Sequence, residues 1–358
     1  MTNSERFLAT ITGGTPDRGV LWPESYWKAT HQRWLKEGMN PDLDFGYDPV
    51  RRMDDLGVNI NYAPEWEIGV IADEGEYELV RNEYGIVQRV AKDAINKNVV
   101  QYVSFPVSSR EDWESLRPRL AADAAGRFPE DWSERARAIS ERDEIIVWGG
   151  QHLCGFFSFA RELVGDEEVM YLFYDDPDLM HEMMSFQVER LCGLLDRAAK
   201  DLRIDCVFIW EDMCYKNGPL ISPALFREFL LEPYQRYVEH IRSHGIRAVD
   251  VDSDGDVTQL IPLWVEAGVD MLHPFEVQAG MDVVEIGRQH ANAVTLRGGI
   301  DKRQLALDRA AVDREIERIR PAYEAGHYIP TADHSIPPDV PFDNFRYYLD
   351  RRRELVGA

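Results

Sequence analysis

CVFIWEDMCYKNGPLISPALFREFLLEPYQRYVEHIRSHGIRAVDVDSDGD, residues 206–256, decides the fold. It opens on an almost continuously apolar run, CVFIW, that ends in two acids, Glu211 and Asp212. Such a run suits a parallel strand buried on both faces. Ser222 followed by Pro223 starts a long amphipathic segment, with Ser as N-cap and Pro in the first turn, and Gly245 closes it. A second apolar run, IRAVDV, follows almost at once and again ends in acid. Strand, helix, strand with short connections is the repeat of a parallel α/β sheet.

Working outward, the repeat recurs. IIVWGGQH (145–152), VDMLHPFE (269–276), AVTLRGGID (293–301) and HYIPTADH (327–334) read as further strands with polar ends. VTQLIPLWVEAG (257–268), MDVVEIGRQHAN (281–292) and residues 301–326 read as the helices between them, and PFDNFRYYLDRRREL (341–355) as a final helix. No G-x-G-x-x-G or G-x-x-x-x-G-K-[ST] accompanies any strand, so a nucleotide-binding doubly wound sheet lacks its usual signature. Polar residues at the ends of at least five runs instead point to a (β/α)8 TIM barrel, whose chemistry is gathered there from several strands. The first half is less regular: VLWPESYW (20–27) and VNINYAPEW (58–66) are candidate strands, and residues 74–106 alternate like a β-excursion decorating the barrel. The 358 residues are expected to form one barrel domain, 1–358.

The chain carries 64 Asp and Glu against 40 Lys and Arg, a formal net charge of −24. That field repels phosphate backbones and anionic lipid, which argues against nucleic acid and membrane surfaces as partners. Most of it reads as a solubilising surface. The four cysteines form no C-x-x-C, and the opening MTNSERFLATITGG shows no basic stretch followed by an apolar core, so a cytoplasmic protein is expected. Cys192 and Cys206 read as core residues, and Cys214, beside acids that raise a thiol pKa, is a poor nucleophile.

In a barrel the strand ends face one pocket. Period-2 alternation puts Asp250, Asp252 and Asp254 on one face until Gly255 turns the chain. Like charges that close need a cation, a proton or a basic partner, unless one of the acids simply caps the helix that follows. His334, after Asp333 and before the rigid SIPPD turn, is either held by that turn or joins Asp252 and Asp254 in a divalent-metal site that suits Zn2+ and admits Mn2+ or Mg2+. Glu211 and Asp212 are candidates for proton transfer, Glu211 alternatively a charged partner in the loop network; Glu276 closes the acidic wall. Gln151, Lys216, Asp301 and Lys302 are candidates for substrate contact, either lysine offsetting a substrate anion. His152 is expected to pack beside the aromatic run GFFSF.

The segments WEDMCYKNGPLISPALFREFLLEPYQRYVEHIRSHG (210–245), DSDGDVTQLIPLWVEAGVDMLHPFEVQAGMD (252–282), LRGGIDKRQLA (296–306) and DHSIPPDVPFDNFRYYL (333–349), with ERFLATITGGTPDRGVLWPE (5–24), resemble the uroporphyrinogen decarboxylase-like superfamily. The resemblance implies a distorted (β/α)8 barrel with its site at the C-terminal strand ends, and often a homodimer. Two branches of the superfamily have distinct signatures, and this chain departs from both. Where the porphyrinogen decarboxylases carry an Arg-containing segment that grips a polycarboxylate, it reads LWPESYWKATHQRW (21–34), and its candidate pocket is acidic. Where the corrinoid/thiol methyltransferases hold zinc with His-x-Cys and a distant Cys, the resemblance sets Asp252, Asp254 and His334.

The expected function is therefore metal-dependent methyl, or other one-carbon, group transfer on a small polar or cationic substrate, with a corrinoid or corrinoid protein as the implied partner. A metal-free decarboxylase or lyase and a non-catalytic small-molecule-binding barrel are the alternatives.

Overall fold

The computed structural model describes residues 1–92, 100–150, 152–290 and 293–358, the side chain of Asp54 aside. Thirteen strands are described: β1 (Val50–Arg52), β2 (Gly69–Asp73), β3 (Tyr77–Arg81), β4 (Val87–Ala91), β5 (Gln101–Ser104), β6 (Ile145–Trp148), β7 (Cys206–Trp210), β8 (Cys214–Tyr215), β9 (Gly218–Pro219), β10 (Ala248–Asp252), β11 (Met271–His273), β12 (Thr295–Ile300) and β13 (Tyr328–Ala332). Seven form one curled parallel sheet in the order β1-β6-β7-β10-β11-β12-β13. All six apolar runs read from the sequence lie in it. Strands β2 to β5 form a separate antiparallel sheet, and β8 with β9 a short hairpin.

Register explains why the polar ends gather. Asp252 pairs with Trp210 on one side and with His273 on the other, and Ile300 pairs with Ala332, so adjacent strands stop at nearly the same height. On the concave side Phe7, Val20, Trp22, Ile145, Val147, Cys206, Phe208, Ala248, Met271 and Ile329 pack into an interior cluster, as alternate positions of parallel strands must. Cys206 is core, as expected, whereas Cys192 is only partly buried.

Two candidate strands of the first half are corrected. Residues 20–27 contribute an isolated bridge, Tyr26 to Ile336, rather than a ladder. Pro23 has no N–H to give to one, yet the segment is tied to both edges of the sheet. Leu21 exchanges hydrogen bonds with Asp48, just before β1, and the Ala332 N–H at the end of β13 donates to Glu24. Residues 58–66 form no strand. There Asn59 accepts from the Asn61 N–H and donates to the Tyr62 carbonyl, local bonds that compete with a ladder. The place beside β6 goes to β1, which sequence reading did not single out.

The helices follow their caps. The Ser222 hydroxyl accepts from the Leu225 N–H and opens the segment before β10. Pro233 would break an α-helical bond four residues back, and a π-turn over Phe226–Leu230 absorbs it. Residues 301–326 divide into Lys302–Leu305 and Arg309–Ala325, because Asp308 caps the second helix by accepting from Ala311. Among the described residues, no helix is long and apolar enough to cross a membrane.

Candidate active site at the strand ends

The innermost layer of the site is a chain of charge across β10, β11 and β12. Arg297 donates to Asp250 at 2.9 Å, Asp250 holds His273 Nδ1 at 2.8 Å, and His273 Nε2 lies 3.5 Å from Asp252. Asp250 and Asp252 thus face the same way, as the alternation requires. Burial and Arg297 push the His273 imidazole down, but Asp250 and Asp252 on its two sides outweigh them and leave it above its usual range. Burial would raise the Asp250 carboxyl, and His273 and Arg297 more than reverse that. Sequence reading missed His273 and Arg297; the available signal was a basic residue at an inward position of an otherwise apolar strand.

Beneath this chain lies a cavity of about 160 Å³ lined by residues including Trp22, Arg52, Phe208, Asp250 and Arg297. Two lining residues carry buried donors without a hydrogen-bond partner, Trp22 Nε1 and Arg297 Nε. The Arg297 guanidinium stacks 4.9 Å over the Trp22 ring. The space takes a fragment of a few heavy atoms, well short of the ~300 Å³ at which drug-sized pockets begin.

Above it, the mouth is acidic. Asp254 lies 3.2 Å from His334 Nε2, and this bond is the first cause of the raised His334 pKa. Lys302 reaches Asp333 at 3.4 Å and Glu276 at 3.6 Å, so these two acids share one ammonium. Glu276 also accepts from the Gly255 N–H. Gly255 has φ +81°, and a Cβ there would meet the carbonyls of Cys214 and Tyr215 at 2.7 Å, so glycine is required where the β10 loop crosses the β8–β9 hairpin. Asp212, at φ +43°, turns toward this group. Burial first, then Asp254, with Asp252 and Glu276 adding, pushes its carboxyl up to about 6 against the pull of Arg161.

Asp212, Asp252, Asp254, Glu276, Lys302 and His334 therefore share one electrostatic neighbourhood, whereas the other candidates are held differently. Glu211 is fully buried and accepts from the N–H groups of Phe156 and Ser158 at 2.8 and 3.0 Å and from the Tyr234 hydroxyl. Its acceptors are thus taken up by the 156–158 turn and Tyr234. Asp301 caps the helix that starts at Lys302, and Arg303 offsets its burial so that the carboxyl stays below its usual value. Lys216 is exposed between the two strands of the β8–β9 hairpin. Gln151 lies outside the described residues. His152 makes tilted ring contacts with Tyr84 and Trp210 and bonds Glu162 at 2.9 Å, and its carbonyl accepts from the hydroxyl of Ser158 in the GFFSF run. Cys214 is pushed up to about 12 mainly by burial, the acids adding only a lesser share.

The ligand atoms of Asp252, Asp254 and His334 do not all lie within 4.8 Å of one another. Asp254 is turned to His334 and Asp252 to His273. The donor set nonetheless fits a cation: two carboxylates with one imidazole, beside an Asp212 carboxyl that burial first and then Asp254 push up to about 6.

The family profile described as Uroporphyrinogen decarboxylase (URO-D) matches residues 102–355. The uroporphyrinogen decarboxylase of Nocardia farcinica (strain IFM 10152) is 24% identical over 352 residues, 93% of this chain and 91% of that protein. That of Acidiphilium cryptum (strain JF-5) is 26% identical over 153 residues, which spans 42% of this chain and 40% of that relative. Among solved structures, a methyltransferase from Methanosarcina mazei superposes with a TM-score of 0.61 at 17% identity, covering 99% of both chains, a likeness of fold.

Proposed function

Because the chain belongs to the uroporphyrinogen decarboxylase (URO-D) family, a family of enzymes, we propose that it is itself an enzyme, one that transfers a methyl or other one-carbon group to or from a small polar or cationic substrate at the acidic mouth. The observation that carries this reading is the surplus of carboxylate there: Asp212, Asp252, Asp254, Glu276 and Asp333 share Arg161, Lys302, His273 and His334, and burial first and then Asp254 hold the Asp212 carboxyl up to about 6. A polycarboxylate would meet like charge at such a site, whereas a cation relieves it. Asp252, Asp254 and His334 are the residues that would hold a divalent metal, Zn2+ first and Mn2+ or Mg2+ next. When bound, the metal would supply Lewis acidity to a substrate thiol or hydroxyl. Asp212, its carboxyl pushed up to about 6 and so mostly ionised at neutral pH, accepts the proton and returns it. Lys302 holds Glu276 and Asp333 in place, and Trp22 Nε1 with Arg297 Nε offers donors to an acceptor entering the cavity below. Glu211 and Asp301 are anchors in this scheme and Lys216 is peripheral.

The wider reading is a single (β/α)8 barrel, residues 1–358, in which segment 20–26 takes the eighth staves' place between β1 and β13. The separate antiparallel sheet supports reading residues 74–106 as an insertion. A corrinoid protein as methyl partner, a homodimer and a cytoplasmic setting belong to the same proposal.

The test measures methyl transfer from a methylated corrinoid to small thiols and amines, with metal content determined in parallel. The reading expects transfer that chelation abolishes, Zn2+ restores and Asp254→Ala removes. Methyl transfer that persists unchanged under chelation would remove the metal from the reading, whereas decarboxylation or elimination of a small substrate under chelation, without methyl transfer, would favour the second reading, a metal-free decarboxylase or lyase using Asp212 and the Asp254–His334 pair. Ligand-induced stabilisation without any product would leave a binding barrel.

A further inference from the structure

A second cluster lies on the outer face of the sheet, between two of its covering helices. Helix Pro177–Ala198 carries Asp196 in its last turn, and helix Leu231–Ser243 carries His240, with His244 as its C-cap. His240 and His244, four residues apart, fall on one side of their helix. Both present Nε2 to the same oxygen: Asp196 Oδ1 lies 2.8 Å from His240 and 2.7 Å from His244. All three ligand atoms lie within 4.8 Å of one another, and among the described residues this is the one group of three or more His, Cys, Asp or Glu to converge so closely.

The first helix leads into β7 and the second into β10, so both end at the side of the sheet where strands begin. That is the side opposite the acidic mouth. The cluster therefore belongs to no part of the site already described.

We propose that Asp196, His240 and His244 form a binding site for a divalent transition metal that staples helix 177–198 to helix 231–243. Two imidazole nitrogens and one carboxylate oxygen are the donors of a borderline-soft ion, and they select Zn2+, Cu2+, Ni2+ or Co2+ over Mg2+ and Ca2+, which prefer all-oxygen shells. A tetrahedral ion with bonds of about 2.0–2.1 Å keeps its ligand atoms roughly 3.3 Å apart, a little wider than the contacts already present. Binding thus asks for small side-chain adjustments on two packed helices. Side-chain exposures of 50% for Asp196, 28% for His240 and 25% for His244 leave the ion a path from solvent and a fourth position for water.

The test separates this site from the mouth. In an Asp254→Ala/His334→Ala background, titration with Zn2+ is expected to show one equivalent bound, with a melting temperature that rises with Zn2+ concentration. Adding His240→Ala, or Asp196→Asn, is expected to weaken binding about tenfold or more and to abolish the thermal shift. Co2+ in place of Zn2+ is expected to give the visible absorption of a four-coordinate ion, lost in the His240→Ala/His244→Ala variant. A background that takes up no Zn2+, or uptake that persists unchanged in that double variant, overturns the proposal. Failure of methyl transfer leaves it untouched, because the background lacks the mouth donors.

Discussion

The seam that ties segment 20–26 to the sheet and the mouth at the strand ends both bury carboxylates, and they compensate them differently. In the seam each acid has its own arginine. Glu24 is bound by Arg352, the Tyr348 hydroxyl and the Ala332 N–H, with its side chain 3% exposed and that of Arg352 at 0%. Asp48 is bound by Arg18 and the Leu21 N–H, with Arg6 a second guanidinium at 3.8 Å. At the mouth Asp212, Asp252, Asp254, Glu276 and Asp333 share Lys302, Arg161, His273 and His334. Acids that each have an arginine of their own hold chain segments together. Acids left in surplus keep a site ready for a cation or a proton, at some cost to stability.

The largest effect tests the seam. Arg352→Met strands Glu24 as a buried, partly compensated charge and is expected to cost about 3–5 kcal/mol in urea unfolding; a loss below about 1 kcal/mol would erase the contrast between the two regions. Next comes Glu211, anchored by two backbone N–H groups and the Tyr234 hydroxyl although its sequence neighbour belongs with the mouth. Glu211→Gln sets an amide against backbone donors and is expected to cost about 1–3 kcal/mol, with turnover of the folded fraction retained. Lost turnover at unchanged stability would instead return Glu211 to the mouth.

Asp254→Asn is expected to lower both of its neighbours in an NMR titration: Asp212 from about 6 toward its usual 3.8, because a repelling charge is gone, and His334, because its acceptor charge is gone. A raised folded-state carboxyl favours folding at pH below its unfolded value, and that contribution is lost as pH rises through the folded value. Asp212 therefore makes the protein lose stability between about pH 4 and 6, and Asp212→Asn is expected to flatten the profile in that window. The smallest effect is Lys216→Ala at the exposed hairpin, expected to stay within about 0.5 kcal/mol and to leave turnover intact. A large drop in turnover would extend the mouth out to β8–β9.

Much of this was legible in particular residues. The apolar runs with polar ends became neighbouring strands of one sheet, because a strand buried on both faces leaves a continuous signal. The alternation of Asp250 and Asp252 predicts their shared face, and both meet His273. The role of Asp48 was not legible, since its partners lie 27 and 30 residues away. Nor was the segment 20–26, whose place depends on bonds to Asp48 on one side and Ala332 and Ile336 on the other.

The sequence by itself determined the parallel α/β architecture, the family and the end of the sheet at which acids collect, because burial period and capping are local and repeat along the chain. Only the tertiary structure decided which acids are in surplus. Glu211 and Asp212 are adjacent and chemically alike, yet one is consumed by Phe156, Ser158 and Tyr234 while the other lies beside Arg161 within the field of Asp254. The fate of a carboxylate depends on the donors that distant segments bring to it, and no spacing along the chain encodes that count.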